Sequence, residues 1–385
     1  MLHRVPTGET IERLTAIPGR GAGTDAERRA ALGLERDLAE RGQRAWIDTY
    51  WLRPGWAWPV VLAAVLAAGG SLTAVAWPLA GLIAAAVAAL SLAVEGAGFT
   101  SPLRLLTRRR ATQNVVALPE PREGAAPQED ERGVTLLVCA PYDAPRRGLV
   151  LNDRWRAPAA RLGDVRRWLA GCALIIAGAA AARLQGVDET WLGAIQLVPT
   201  VVLIAALAAA VDIALSEFSP GAGPASAAAV ALAVHGELAA DPDALPVGLI
   251  LYGAGASGPQ ALRSQLRRER AGKRSTVVLE IGPCAEGEPA WRARHQQLRR
   301  AAALAAEALD IPAPARRPRP ARGVRGLPAI RIACLDARGI AERSHQPDDT
   351  ADAVDLDATD RAIDFALGVA DALAADLATR QGAVR

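Results

Sequence analysis

The sequence predicts an α/β protein whose central, largely parallel sheet carries helices on both faces and is interrupted by two apolar helical hairpins. Three observations support this. Short apolar runs bounded by Gly, Pro and Asp alternate with longer helical patterns, as strands covered on both faces do. No charged residue occurs between Gly55 and Val94. A second apolar region, Trp168 to Ala182 and Thr190 to Val211, is broken only by a link carrying Arg183, Asp188 and Glu189.

Crossing a hydrocarbon layer takes about 20 residues per helix. The first region therefore fits two passes that reverse at Trp77-Pro78, and the second fits two more, giving four membrane helices. The 385 residues divide into 1–54, the first part of the α/β domain; 55–98, the first hairpin; 99–166, the second part; 167–215, the second hairpin; and 216–385, the third part. If the strands flanking each hairpin share one sheet, each insertion crosses an even number of times, and two passes satisfy that. Trp56, Trp58, Trp77, Trp168 and Trp191 fall at predicted helix ends, where amphipathic rings favour the headgroup layer. Two buried hairpins in a large soluble protein are the competing reading, and the tryptophan placement speaks against it.

In chain order, Thr24-Asp25 caps a helix over AERRAALGLERDLAERG that Gly42 stops. Strands follow at RAWIDTYW, NVVALPE and VTLLVCAPYD. After the second hairpin come a helix at PASAAAVALAVHGELAA, strands at VGLILYGAG and TVVLEIG, a helix from Trp291 to Leu309, a strand at AIRIACL and a helix from Asp357 to Ala378. The proline-rich IPAPARRPRPARGVRGLP reads as a basic surface loop.

Composition narrows the function. A net charge of +3 is too small to argue for nucleic acid, and with Lys273 the only lysine, the arginine richness reflects composition bias. Cys139, Cys172, Cys284 and Cys334 form no CxxC pair, and a disulfide framework is not expected. MLHRVPTGETIERL has no apolar stretch of the kind a cleaved signal peptide needs. Arg104, Arg108, Arg109 and Arg110 follow the first hairpin and Arg161, Arg166 and Arg167 precede the second, whereas the hairpin tips carry only Arg183. The positive-inside rule then puts both termini and the α/β domain in the cytoplasm, with the hairpins in the cell's inner membrane.

The blocks LTAIPGRGAGTDAERRAALGLERDLAERG, NVVALPE, VTLLVCAPYDAP, SPGAGPASAAAVALAV, LILYGAGAS, VVLEIGP and SHQPDDTADAVD resemble, in order and spacing, those of the di-zinc aminopeptidases, metallopeptidase family 28. That family includes glutaminyl cyclases and the zinc-free transferrin-receptor ectodomain. The resemblance implies a zinc-aminopeptidase-like fold and directs attention to five ligand positions and a general base. In such enzymes two zinc ions polarise the scissile carbonyl and activate a bridging water, and a glutamate takes its proton.

Carried over position by position, most of that machinery is missing. Pro141 stands where the first histidine ligand belongs, while Asp143 resembles the carboxylate that orients the ligands. Gly223, Pro224 and Ala225 supply no bridging carboxylate. Gly255 takes the general-base position and Ala256 the ligand beside it. Glu280 matches a ligand aspartate, one methylene longer, and His345 matches the last histidine. Two ligand-capable side chains remain of five.

His345 has two readings: a ligand of one metal shared with Glu280 and either Cys284 or Asp143, or a loop histidine whose turn is held by Asp348 or Asp349 bonding backbone N–H groups. The second is favoured, because zinc needs at least three converging protein ligands. Cys139 and Cys284 read as core filler, His235 as a core or boundary residue, and His295, among Arg292, Arg294 and Arg299, as part of a solvated face. The hairpins either anchor only, or also meet a membrane partner or a second copy through Ala67, Ala68, Gly69 and Gly70. A transport role has the least support, since only Gln196 and Pro199 interrupt the fourth helix.

The leading expectation is an inactive peptidase fold, without cofactor, that binds a peptide or protein ligand in the former cleft or scaffolds a membrane complex. The alternative is a membrane-tethered zinc aminopeptidase or amide hydrolase with a site rebuilt around Glu280 and His345.

Overall fold

Strands β1 (Trp46–Leu52) and β2 (Arg110–Ala117) pair antiparallel, with Leu52 opposite Arg110, although residues 53–109 lie between them in sequence. This pairing is seen in a computed structural model that describes residues 6–119, 134–152, 154–155, 164–187, 190–269, 275–314, 317–318, 320–321, 326–341 and 343–382. The chain separates into two compact units. One comprises Met1–Leu52, Arg110–Pro145 and Phe218–Arg385, and the other Arg53–Arg109 and Arg146–Glu217. Arg161, Lys273, Asp188, Glu189 and parts of the N-terminal and proline-rich segments lie outside the described residues.

The first unit holds one seven-stranded sheet. Its remaining strands are β3 (Val134–Pro141), β4 (Val247–Tyr252), β5 (Ser275–Ile281), β6 (Glu288–Ala293) and β7 (Ala329–Leu335), in the spatial order β1-β2-β4-β3-β5-β7-β6. The sheet is mixed rather than largely parallel. The central four strands, β4, β3, β5 and β7, run parallel, while β1, β2 and β6 add antiparallel pairings at the two sides. β6 was not expected, because Trp291 to Ala293 fall in it rather than in a helix. The edge strand was masked by the helical pattern that begins just beyond it.

Helices cover both faces. On one face lie α1 (Thr7–Thr15), α2 (Asp25–Glu40), α7 (Ala222–Ala240), α9 (Gln296–Ala308) and α10 (Leu356–Gly382). They pack on Leu136, Val138 and Ala140 of β3, Leu249 and Leu251 of β4, and Leu279 and Ile281 of β5. The opposite face, with Leu137, Cys139, Ile250 and Val278, meets Leu262 and Leu266 of α8 (Gln260–Glu269). Strand alternation thus divides each strand between two apolar layers. Thr24 caps α2 as expected, its Oγ1 accepting the Glu27 N–H at 3.1 Å.

The second unit is a helical bundle: α3 (Ala57–Thr73), α4 (Pro78–Gly96), α5 (Val165–Leu184) and α6 (Thr190–Leu215). The reversal at Trp77-Pro78 is close. A Cβ on Gly81 would sit 2.5 Å from the Ala74 Cβ and 2.6 Å from the Gly70 carbonyl oxygen, so the α3–α4 crossing depends on glycine there. Ala67, Ala68 and Gly70 are buried within the bundle, so this small-residue face is occupied internally. Three of the helices, α4, α5 and α6, are long and apolar enough to span a membrane. α3 has 17 residues, about 25 Å at 1.5 Å per residue against a layer of about 30 Å.

Both insertions leave and re-enter the sheet unit at adjacent points. The first replaces the turn of the β1–β2 hairpin, and at the second the Ser219 N–H donates to the Pro145 carbonyl at 2.8 Å. Such insertions leave the sheet's register undisturbed.

Candidate functional site

Beyond the ends of the parallel strands, the segments 141–146, 219–223, 253–258 and 343–350 come together around buried charges. Asp143, fully buried after β3, accepts the backbone N–H of Gly255 at 2.6 Å and of Ala256 at 3.1 Å. Burial raises its pKa to about 6, although those amides and Arg20 favour the charged form. Glu27 of α2 accepts from Gly23 N at 2.6 Å, Ala254 N at 2.8 Å and Thr112 Oγ1 at 2.7 Å. Burial first, then the neighbouring charge of Asp143, pushes it up to about 8. Two buried carboxylates therefore hold the turn that follows β4.

Arg20 is the cation of this cluster. Its Nε donates to the Tyr142 carbonyl at 2.7 Å and its Nη2 to the Gly221 carbonyl at 3.0 Å. Burial lowers its pKa to about 10, and Asp143 and Asp349 oppose that shift. Asp349 accepts the Gly223 N–H at 2.9 Å, placing a carboxylate at the start of α7, where helix N–H groups favour negative charge. Asp348 or Asp349 was expected to hold backbone N–H groups of the His345 turn; Asp349 also reaches across to α7, to the position matched to the bridging carboxylate.

The remaining predicted positions can be placed in turn. A Cβ on Gly255 would lie 2.5 Å from the Pro141 Cβ, 2.9 Å from Tyr252 Cε2 and 3.0 Å from Asp143 Oδ1. A side chain in the general-base position thus meets Pro141, which stands at the first histidine position. Gly223 and Pro224 are buried in the first turn of α7, and Ala256 lies in the turn held by Asp143. Glu280, buried on β5, accepts from Arg331 Nη1 at 2.9 Å and from Tyr252 Oη at 3.3 Å. It belongs to the α8 side of the sheet with Val278, whereas Leu279 and Ile281 face α7. His345 sits in a turn closed by Gln346 N to Arg343 O, with φ +72°.

All four cysteines are free thiols; Cys284 donates to the Gly282 carbonyl at 3.3 Å. His235 is buried in α7, where desolvation lowers its pKa to about 4. His295 is exposed before α9.

Neither a family model nor a curated protein matches this sequence. Solved structures do. The chain is similar to a zinc aminopeptidase from Bacillus subtilis, at TM-score 0.56 and 12% identity, covering 97% of this chain and 94% of that one. It is also similar to the Porphyromonas gingivalis glutaminyl cyclase, at TM-score 0.53 and 11% identity over 96% of each chain. A Zn-dependent exopeptidase from Parabacteroides distasonis matches at TM-score 0.52 and 10% identity, over 94% and 95%. The chain has the zinc-aminopeptidase fold.

For an aminopeptidase fold the donor set is a direct test of metal fit. Among the described residues no group of three or more His, Cys, Asp or Glu side chains is placed to hold a metal ion. Pro141, Gly223, Pro224, Gly255 and Ala256 offer no ligating side chain, and the Glu280 carboxylate already faces a guanidinium. These residues do not fit a dinuclear zinc centre.

Proposed function

We propose that this chain is a membrane-anchored aminopeptidase-fold protein that does not hydrolyse peptides, and that its former active-site region binds a peptide or protein partner or scaffolds a complex at the bilayer. The observation that carries the first half is steric and electrostatic. Pro141 and Asp143 fill the space a side chain at Gly255 would need. Glu280, one of the two surviving ligand-type residues, is neutralised by Arg331 rather than left for a metal. Without a base at 255 no residue at that position can take a proton from water, and hydrolysis by the fold's usual route has no starting step.

The anchoring reading rests on exposure. Only 22% of the apolar window of α6 is buried within the protein, and 39% of those of α4 and α5. Ile83, Val87 and Leu90 of α4, Leu174 and Ile175 of α5, and Leu197, Val198, Val201 and Ile204 of α6 are exposed. An apolar surface of this extent calls for a nonaqueous partner, and lipid is the partner that helices of this length fit. In this reading α3 is the fourth helix of the bundle, and the arginines flanking the hairpins support a cytoplasmic location of the termini and the sheet unit.

Metal analysis of detergent-purified protein tests the chemistry. The expected result is no stoichiometric metal, unchanged melting in chelator and no release from aminoacyl substrates. Stoichiometric zinc that disappears in His345→Ala or Glu280→Ala, together with hydrolysis, would replace this reading with that of a rebuilt zinc hydrolase. Reporter fusions at Arg385 active only outside the cytoplasm would reverse the orientation.

A further inference from the structure

At one end of the helical bundle, two of the connecting segments each form a short 3₁₀ turn with a divided surface. In Leu103–Leu106, Leu103 joins the apolar cluster of Leu92 and Leu169, and the Arg104 guanidinium donates to Glu95 Oε2 and to the Arg53 carbonyl, both at 3.0 Å. Leu105 and Leu106 turn outward, Leu106 with 73% of its surface exposed. Leu149–Leu151 repeats the plan. Its first N–H donates to Asp212 Oδ2 at 2.6 Å and Leu151 packs on Trp56, Ala57 and Ile213, while Leu149 is 70% exposed. The inner residues fix both turns to the bundle, so the outward leucines are held in place.

These turns lie where α3 and α5 begin and α4 and α6 finish. Glu95 of α4 meets Arg166 of α5 at 3.8 Å, and Ala57 of α3 packs with Ile213 and Ala214 of α6. Trp155, in the connection leading to α5, and Trp168, in the first turn of α5, are exposed, and the Arg154 guanidinium sits 5.5 Å from the Trp155 ring. The charge of this end is lopsided. Residues 53–56, 95–109, 146–168 and 212–217 hold eleven arginines against five carboxylates, whereas the opposite end carries Arg183 against Asp188 and Glu189. With a net charge of +3 for the whole chain, that excess is local.

We infer that this end of the bundle docks on an anionic phospholipid surface, with Leu105, Leu106, Leu149 and Trp155 entering the headgroup layer and the arginines binding the lipid charges. Exposed leucine and tryptophan fit the boundary between headgroups and chains, where an apolar body leaves water and an indole N–H stays wet. Arginines beside them fit the phosphates and acidic headgroups at the same depth. A second copy is a poor occupant, because two ends of the same positive sign would face one another. The four apolar helices stop at this level, which puts a bilayer surface beside the turns.

The inference rests on the reading that the helices span a membrane, and flotation with vesicles tests that reading separately. Full-length protein carrying Leu106→Cys or Leu149→Cys is labelled with a fluorophore, with unsubstituted protein as the labelling background, and reconstituted in vesicles of phosphatidylcholine and phosphatidylglycerol. The labels are expected to be quenched by spin labels in the headgroup region and shielded from aqueous iodide. Native mass spectrometry after mild detergent extraction from an equal mixture is expected to show phosphatidylglycerol enriched roughly tenfold over phosphatidylcholine on wild type, and about parity on the triple variant Arg108→Gln, Arg109→Gln, Arg154→Gln. Those three arginines are exposed, so the variant should fold. Protein that floats with vesicles while its labels stay open to iodide overturns this inference and leaves the membrane reading standing; protein that does not float removes both. Labels shielded from lipid and iodide alike assign the face to another protein, a second copy included. Equal retention of the two lipids by wild type, or the same enrichment in the triple variant, overturns the anionic assignment.

Discussion

Helices α6 and α7 are both apolar and alanine-rich, yet they sit in opposite surroundings. In α7 nearly every side chain from Ala222 to His235 is buried, with the sheet on one side and other helices on the rest. In α6 the large side chains Ile195, Leu197, Val198, Val201, Val202 and Ile204 are exposed, while Leu192, Gln196, Pro199, Leu203, Ala210, Ile213 and Ala214 turn inward. The difference lies in how much of each helix's surface is covered rather than in hydropathy. Alanine lets a helix approach the sheet closely all round, whereas a belt of Val, Leu and Ile on the outside has no place in water. The sheet unit is built with its apolar residues inside, and the bundle displays them. A charge in the middle of α7 is the largest test of that contrast. Val230→Asp puts a carboxylate at a position with 0% exposure, at a cost of about 5 kcal/mol or more. The sheet unit should lose its cooperative melting in detergent while the bundle still extracts with membranes. Full retention of melting would mean α7 is not the core.

Each unit also buries glutamate side chains, and Glu27 of the sheet unit and Glu95 of the bundle are stabilised differently. Glu27 in the sheet unit is met by backbone amides and a hydroxyl, without a direct cation. Its folded pKa of about 8 lies above the ordinary 4.5, so folding penalises the charged form. Its contribution to stability is complete below pH 4.5, declines as pH rises, and is lost above about 8; Asp143 acts in the same sense between 3.8 and about 6. At about 1.4 kcal/mol per pH unit, Glu27 could change stability by up to roughly 5 kcal/mol across that range. Melting temperature followed from pH 5 to 9 should fall, and the slope above pH 7 should disappear in Glu27→Gln. A flat profile would show that the three donors outweigh burial.

Glu95 in the bundle is instead paired with Arg104 at 3.0 Å, with side chains 3% and 5% exposed. Removing one partner of such a pair leaves a buried charge and typically costs about 3–5 kcal/mol. Glu95→Ala should therefore lower bundle stability by that order, read as loss of folded protein after detergent extraction. Adding Arg104→Met should recover most of it. Failure of the second change to recover anything would mean that Ser101, the Arg53 carbonyl and Arg166, which also lie at this pair, matter more than the Glu95–Arg104 ion pair.

The sequence carried the apolar architecture well because hydropathy and strand alternation are local signals. Thr24-Asp25 announced the start of α2, and AIRIACL was placed as β7 to the residue. What it did not carry are partners distant in sequence. Glu27 carried no mark in the sequence beyond its place at the start of a helix, yet its carboxylate reaches Ala254, 227 residues away. Arg331 looked like one arginine among many until strand pairing set it opposite Glu280. Arg20 has no local mark at all in PGRGAG. At the candidate site the residue types at 141, 223, 255 and 256 were legible, but the closure of Gly255 by Pro141 depends on two strand ends meeting in space.

The finest test compares two exposed apolar side chains that differ only in the solvent assigned to them. Ile204 of α6 is 52% exposed and Leu304 of α9 in the sheet unit is 59% exposed. If both faced water, either could become aspartate with an effect within about 0.5 kcal/mol, as exposed positions commonly allow. If Ile204 faces hydrocarbon, Ile204→Asp costs about 2.5–3.5 kcal/mol near a helix centre, while Leu304→Asp stays within the smaller range. The measurement is the fraction of protein that inserts and remains folded for each variant, with Ile204→Leu as the control. Equal and small effects at the two positions would remove the bilayer from the account of α6 and leave its apolar face to a protein partner. A loss at Ile204 alone ties the exposed belt to lipid, since side chains of similar size and exposure would then be separated only by what surrounds them.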